Sequence, residues 1–196
     1  KLMMVPVSHL FNAFPRAMRD LAIKKGRDVA IEIKGEETQL DKAIIDDMKE
    51  PLMHILRNAV DHGIEAPKER ASKNKPSGGK ITLNAYQQGS GVVLEVSDDG
   101  RGIDLDLVRQ EAVQRGLVLA DKINELSDEQ VYGFLFIPGF TTSKEVTEVS
   151  GRGVGLDVVR ESVAKLKGIV EVSSSFGKWT KFTIRLPLTL AITESL

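Results

Sequence analysis

The sequence predicts an α+β protein, a two-layer sandwich with helices on one face of a mixed, mostly antiparallel sheet. Three observations carry this. Alternating apolar residues mark strands at 29–34, 80–87, 92–97, 169–174 and 178–188. Apolar residues at helical spacing mark helices at 7–25, 41–62, 105–116, 127–136 and 151–167. The strands cluster late instead of alternating with helices, which argues against a doubly wound parallel sheet.

Along the first helical stretch, Leu10, Phe11, Phe14, Met18, Leu21 and Ala22 form the apolar face; Pro15 breaks or restarts it and Gly26 stops it. Val29, Ile31 and Ile33 alternate in the first strand. A long helix follows over 41–62, interrupted or bent near Pro51. Residues 65–79, rich in Lys, Pro and Gly, read as a loop. Two strands then pair around Gly89-Ser90-Gly91, and Asp98–Asp104 is a sharp turn. Ser127 with Gln130 is a capping box for the helix beginning there. Residues 138–150 have neither period and read as a mobile loop. The helix opened by Gly151–Gly155 turns Leu156, Val159, Val163 and Leu166 inward and stops at Gly168.

Bulk composition excludes several classes. The 196 residues hold 27 basic and 28 acidic side chains, so no net field points to nucleic acid or a membrane surface. The chain has no cysteine, which removes disulfides, thiolate metal sites and cysteine nucleophiles and suits a reducing, cytoplasmic compartment. No apolar run approaches the roughly 18–20 residues of a spanning helix, and no signal peptide opens the chain. Starting at Lys1 and ending at Leu196, the sequence reads as a fragment of a longer protein.

Three local patterns carry chemistry. Within the long helix, His54, Arg57, Asn58, Asp61 and His62 form a polar stripe opposite Leu52, Ile55, Leu56, Ala59 and Val60. His54, Asn58 and His62 at i, i+4, i+8 are expected to lie on one line. His, Asn and Asp are weak helix formers, unlike the Lys and Glu of a merely solvated face. Asn58 offers a neutral oxygen suited to magnesium. Asp98 leads DDGRG; its carboxylate at a strand end would accept from the exocyclic amine of adenine and repel the carbonyl of guanine, whereas the bland alternative is an ordinary Asp-Gly turn. Last, GRGVG (Gly151, Arg152, Gly153, Val154, Gly155) precedes a helix, where free N–H groups favour a phosphate. It is not a Walker loop, lacking Gly-Lys-Ser/Thr, nor a dinucleotide fingerprint.

Together and in this order, HILRNAVDHGIE, DDGRGID, FLFIPGF and GRGVGLDVV resemble the N box, first glycine box, F box and second glycine box of the ATPase domains shared by gyrase, the ninety-kilodalton heat-shock chaperone, histidine kinases and mismatch-repair proteins. NAVDHGIE, the run from Phe136 through Val159, and TIRLPLTLAI are most similar to the ATP-binding domain of chemotaxis histidine kinases. The resemblance implies a Bergerat-type fold, ATP and Mg2+ as ligands, and phosphoryl transfer to a histidine. It would give Asn58 the magnesium and Asp98 the adenine amine, with Gly100, Gly102 and Ile103 shaping the base pocket. Gly151, Gly153 and Gly155, with Arg152 and Val154, would face the phosphates. His54, Arg57, Asp61 and His62 would complete the helix wall, His54 as the candidate catalytic residue. Lys144, in a nucleotide lid at about 138–152, would reach a phosphate, and Thr180 would line the site.

Gly177-Lys178-Trp179-Thr180 departs from the family's Gly-x-Gly-Thr, so Trp179 either crowds the nucleotide or turns outward. Members that hydrolyse ATP to drive a conformational clamp place a glutamate four residues before the asparagine; His54 stands there and favours the kinase reading. A nucleotide-binding module without chemistry would follow only if Trp179 blocked the site. Ser8-His9 with Pro15 faintly resembles a phosphoacceptor box, but Leu10 replaces its acidic residue, so His9 is expected at the surface. The acceptor histidine would then lie on another domain of the same kinase. The resemblance further implies that 1–6 leave a dimerisation domain, 7–188 form the kinase domain and 189–196 lead into a regulatory domain. The fragment alone would be a monomer, coupled only indirectly to chemoreceptors and a coupling protein.

Overall fold

The computed structural model describes residues 2–141 and 155–189. Five strands form the main sheet: β2 (Val29–Lys34), β4 (Gly79–Gln88), β5 (Gly91–Asp98), β7 (Trp179–Pro187) and β6 (Ile169–Ser175), in that spatial order. Only β2 and β4 run parallel; the other three pairings are antiparallel. That is the mixed, mostly antiparallel sheet read from the sequence. A separate ribbon pairs β1 (Met4–Pro6) with β3 (Gln39–Asp41), each too short to show an alternation.

Ile81, Leu83, Leu94, Val96, Phe182 and Ile184 point to the helix-covered face. Against them lie Ile44, Ile45, Met48, Leu52, Ile55 and Leu56 of α3 (Lys42–Asn58), with Val159 and Val163 of α7 (Leu156–Lys165). Leu10 and Phe11 of α1 (Ser8–Phe11) and Met18 of α2 (Pro15–Lys24) close the same core. Each fully buried aliphatic side chain contributes about 1.5–3 kcal/mol. The other sheet face is polar: Lys80 pairs with Glu32, Asn84 donates to Glu95 Oε1 (3.0 Å) and Lys181 lies 3.5 Å from Glu95.

α3 begins on Asp41, whose carboxylate accepts the amide of Ala43 (3.2 Å). The helix runs through Pro51 without a break: Pro51 is buried, and Asp47, the residue whose carbonyl loses its partner, is solvent-exposed. α5 (Leu105–Gln114) and α6 (Asp128–Gly133) build a second small core from Val108, Ala112, Ile123, Val131 and Phe140. The capping box of Ser127 and Gln130 is present. After Gly133 the chain tightens to a 3-10 turn over Phe134–Phe136 instead of continuing as α-helix.

Two further sequence readings need correction. Residues 65–79 are not a plain loop; they contain α4 (Pro67–Ser72) and a buried ionic cluster. The end of α7 is not made by a left-handed glycine: Lys167 takes the left-handed conformation (φ 63°), and the amide of Gly168 returns to the Val163 carbonyl (2.9 Å). Glycine is required at 168 because a Cβ there would stand 2.7 Å from the Arg185 carbonyl oxygen.

Candidate functional site

The helix carrying the polar stripe changes pitch at its end. α3 stops at Asn58, and Ala59–Gly63 forms one π turn, closed by the Ile64 amide on the Ala59 carbonyl (2.7 Å). The wider turn rotates the last residues, so the expected line of His54, Asn58 and His62 is broken: His54 and Asn58 are half-buried, whereas His62 is exposed, as is Arg57. Asp61 is half-buried, with Oδ1 3.7 Å from Lys25 Nζ. Burial lowers the pKa of His54; the Asp157 carboxylate opposes this and the Arg57 charge adds to it. Asp157 stands in the first turn of α7, so that helix start and the middle of α3 share one electrostatic environment.

Asp98 is the last residue of β5, registered opposite Thr180 of β7, and both are buried. Its Oδ1 accepts the amide of Gly100 (2.9 Å). The turn then folds onto the end of the π turn, where the Arg101 amide donates to the Gly63 carbonyl (2.9 Å). A Cβ on Gly100 would collide with that carbonyl, and one on Gly63 would stand 3.1 Å from Asp98 Oδ1. Gly102 has φ +73° and lies beneath the Ser175 carbonyl; the Ile103 amide donates to Ser174 Oγ (2.8 Å). Burial pushes the Asp98 carboxyl up to about 7; the Gly100 amide pulls it partway back, while the charges of Asp99 and Glu65 add to the rise.

Asp98, Gly100, Gly102, Ile103 and Thr180 are thus brought together beside the end of the Asn58 helix. Gly155 is the N-cap residue of α7. Lys144, Gly151, Arg152, Gly153 and Val154 lie outside the described residues. Trp179 does not enter the group. It alternates with Thr180 along β7, so the two side chains take opposite faces, and it lines a hollow of about 310 Å3 with Lys80, Thr82, Ser97, Asp98, Asp99 and Lys181. His9 is exposed on α1, as expected.

Sequence reasoning missed Glu65, Arg70, Lys75 and Asp99, which form one network under the DDGRG turn. Arg70 is fully buried and donates to Glu65 Oε1 (3.0 Å), Asp99 Oδ2 (3.2 Å), the Asp99 carbonyl (3.1 Å) and the Pro76 carbonyl (2.7 Å). Lys75 donates to Glu65 Oε2 (2.7 Å) and to the carbonyls of Asp99 (3.1 Å) and Gly100 (2.8 Å). Burial raises the Glu65 pKa, but the Lys75 hydrogen bond, a backbone amide and the charges of Lys75 and Arg70 hold it below the ordinary value. Among the described residues no cluster of three His, Cys, Asp or Glu side chains could by itself hold a metal ion.

The chain is similar over its whole length to chemotaxis kinases. It is 47% identical over 196 residues to the chemotaxis protein CheA of Treponema pallidum, covering all of this chain and 24% of that protein. It is 44% identical to the sensor histidine kinase CheAY of Helicobacter pylori, with the same coverage. The chain therefore spans about a quarter of the length of these relatives. Among solved structures, the catalytic domain of histidine kinase ThkA superposes with a TM-score of 0.59 at 17% identity, covering 97% of each chain. Residues 47–190 match the family described as histidine kinase-, DNA gyrase B- and HSP90-like ATPase. With about three quarters of its residues inside that match, the chain belongs to the histidine kinase-, DNA gyrase B- and HSP90-like ATPase family.

Proposed function

We propose that this chain is the ATP-binding, catalytic part of a larger protein-histidine kinase of chemotaxis signalling. It takes Mg-ATP and passes the γ-phosphoryl group to a histidine on a separate phosphoacceptor domain of the same kinase. The observation that carries this reading is the 47% identity to a CheA protein across every residue of the chain. The clamp-type hydrolase is the weaker reading, because His54 stands where a water-activating glutamate would be needed.

In this reading Asp98, ionised, accepts the adenine amine at the floor of the base pocket, with Thr180 and Gly102 beside it. Gly100 and Gly63 keep side chains out of the space next to the Asp98 carboxylate. Asn58, half-buried at the end of α3, offers one amide oxygen. That donor fits Mg2+, which keeps several waters and takes its remaining ligands from phosphates, and so needs no protein cage. Bound magnesium would neutralise charge on the phosphate oxygens. Phosphoryl transfer then depends on positioning more than on covalent chemistry. Burial disfavours the charged form of His54, which suits it to accept a hydrogen bond, while the exposed Arg57 supplies positive charge and the exposed His62 completes the helix wall. Lys144 and the glycines of 151–155 would act on the phosphates from the lid. Segments 1–6 and 189–196 would connect to dimerising and regulatory domains, with the receptor and coupling protein reached through the latter. The cytoplasm is the compartment this implies.

The test is ATP-dependent phosphorylation of a separately supplied phosphoacceptor domain, with Asn58→Asp as the inactive control. Transfer of acid-labile, base-stable phosphate to the acceptor, and none to this chain, is the expected result. Normal Mg-ATP binding by the wild type without transfer would overturn the kinase reading.

A further inference from the structure

From the bonding geometry of the buried cluster we infer that Glu65, Arg70 and Lys75 are positioning residues that set adenine selectivity by clasping the Asp98–Gly100 turn against the end of the Asn58 helix. The inference rests on the proposed function, because it assigns Asp98 to the base.

The cluster does more than fill space. A guanidinium with no solvent exposure is costly to bury unless its donors are used and an opposite charge is at hand. Arg70 uses four of its five N–H donors and meets two carboxylates, and two of its four acceptors belong to Asp99, the residue after Asp98. Lys75, largely buried, takes the next carbonyl along, that of Gly100, together with that of Asp99. The remaining carboxylate oxygen of Asp99 accepts the Lys80 amide (2.8 Å), which ties the turn to β4. Both cations close on Glu65, only two residues beyond Gly63, whose carbonyl receives the Arg101 amide. The clasp therefore joins the two segments whose separation decides where the Asp98 carboxylate stands relative to the base pocket. A long, flexible link could not do this; a short helix with a buried Arg and an Asn74 in the left-handed conformation (φ 58°) can.

The chemistry predicts which ligand property is set. An adenine amine needs Asp98 as an ionised acceptor aimed at one point. If the turn relaxes, or if Asp98 takes a proton and becomes a donor, the carbonyl of guanine is no longer rejected. The charged groups facing Asp98 are Asp99 and Glu65, which favour its protonation, and Lys75, which opposes it. Thr180 faces it from β7, and the backbone at Gly63 from the π turn.

The experiment compares fluorescent ribose-labelled ADP and GDP, titrated with magnesium into the wild-type chain and into Lys75→Met, Lys75→Arg and Arg70→Lys, across pH 6 to 9. Far-UV circular dichroism and a thermal melt establish folding. For Lys75→Met the expected result is about tenfold weaker ADP binding, GDP binding changed less than threefold, and an upward shift of the pH midpoint for ADP. Lys75→Arg should recover most of the selectivity, and Arg70→Lys should lose it. If Arg70→Lys does not fold, the Lys75 pair decides alone. An unchanged ADP/GDP ratio in a folded Lys75→Met protein, or equal weakening of both ligands with no change of midpoint, would overturn the inference. Absence of ADP binding by the wild type would instead overturn the proposed function, and the clasp's role with it.

Discussion

The amide of Arg101 reaches across to the carbonyl of Gly63 at 2.9 Å, joining the DDGRG turn to the last residue of the π turn. Gly100 lies in the same contact, with no room for a Cβ beside the Gly63 carbonyl. Gly100→Ala should therefore force the turn away from the helix end. We expect a loss of about 2–3 kcal/mol in unfolding free energy, read from urea melts, and loss of measurable ADP binding. A variant as stable as the wild type would show that the two segments are not held together as described.

Asp98 should make nucleotide binding pH-dependent. Its carboxyl titrates at about 7 in the folded chain, against an ordinary 3.8. In the proposed role adenine binding needs the ionised form, so affinity should rise as pH increases through about 7, and binding below it should release a proton. Stability moves the other way. The fold favours the protonated form, so this group's contribution is fully present below 3.8 and is lost as pH rises toward 7. Asp98→Asn should flatten both profiles, with isothermal titration in two buffers measuring the proton count. A wild-type profile that matches the Asn variant would refute the assignment.

Asn58 is the one residue of the helix wall given to the metal. Asn58→Ala should reduce magnesium-dependent ATP affinity on the order of a hundredfold, while binding measured in EDTA changes little. Equal losses with and without magnesium would mean that Asn58 contacts the nucleotide itself or only supports the helix.

Trp179 should be dispensable for the ligand. Its ring lies on the open sheet face, alternating with Thr180. Trp179→Ala is expected to leave ADP affinity within about twofold, since its ring takes the opposite face of β7 from Thr180 and a surface substitution moves energies by only about 0.5 kcal/mol. The same ring gives a useful null: its fluorescence should respond little to nucleotide. A large quench on ADP binding would place it nearer the site than the strand register does.

The sequence was most readable where burial has a simple period. Val29–Lys34 comes out with its full bounds because alternate residues face the helices, and α3 because Ile44, Ile45, Met48, Leu52, Ile55 and Leu56 repeat at helical spacing. Asp98 was singled out by its place at a strand end before an Asp-Gly turn, and Gly100 and Gly102 entered through the family resemblance. Arg70 was invisible for the opposite reason: it sits in a run of Lys, Glu and Pro that looks solvated, and only three-dimensional pairing with Glu65 and Asp99 takes it inside. The one available signal was that an acid and two bases recur every five residues, at 65, 70 and 75. Nor does a hydrophobic pattern announce a change of pitch, and the straight continuation of α3 to residue 62 gave way to the π turn that displaces His62 from the line of His54 and Asn58. Asp157 was not legible as a neighbour of His54, because that proximity comes from the packing of two helices distant in sequence.

Counted in letters instead of angles, Ala59–Gly63 holds one residue more than an α-helical stretch of the same rise would use. Length changes in this stretch therefore differ in kind from those in the exposed link at 117–121. Deleting a residue from the link disturbs the local turn bonds of Leu117 and Leu119 and the packing of Val118 but leaves the strand pairings of the main sheet in place. Deleting one from Ala59–Gly63 would restore the α pitch and turn everything after it by about 100°. The Gly63 carbonyl would leave the Arg101 amide, and Glu65 would leave Arg70, Lys73 and Lys75. The number of residues here is as much a part of the site as the side chains they carry.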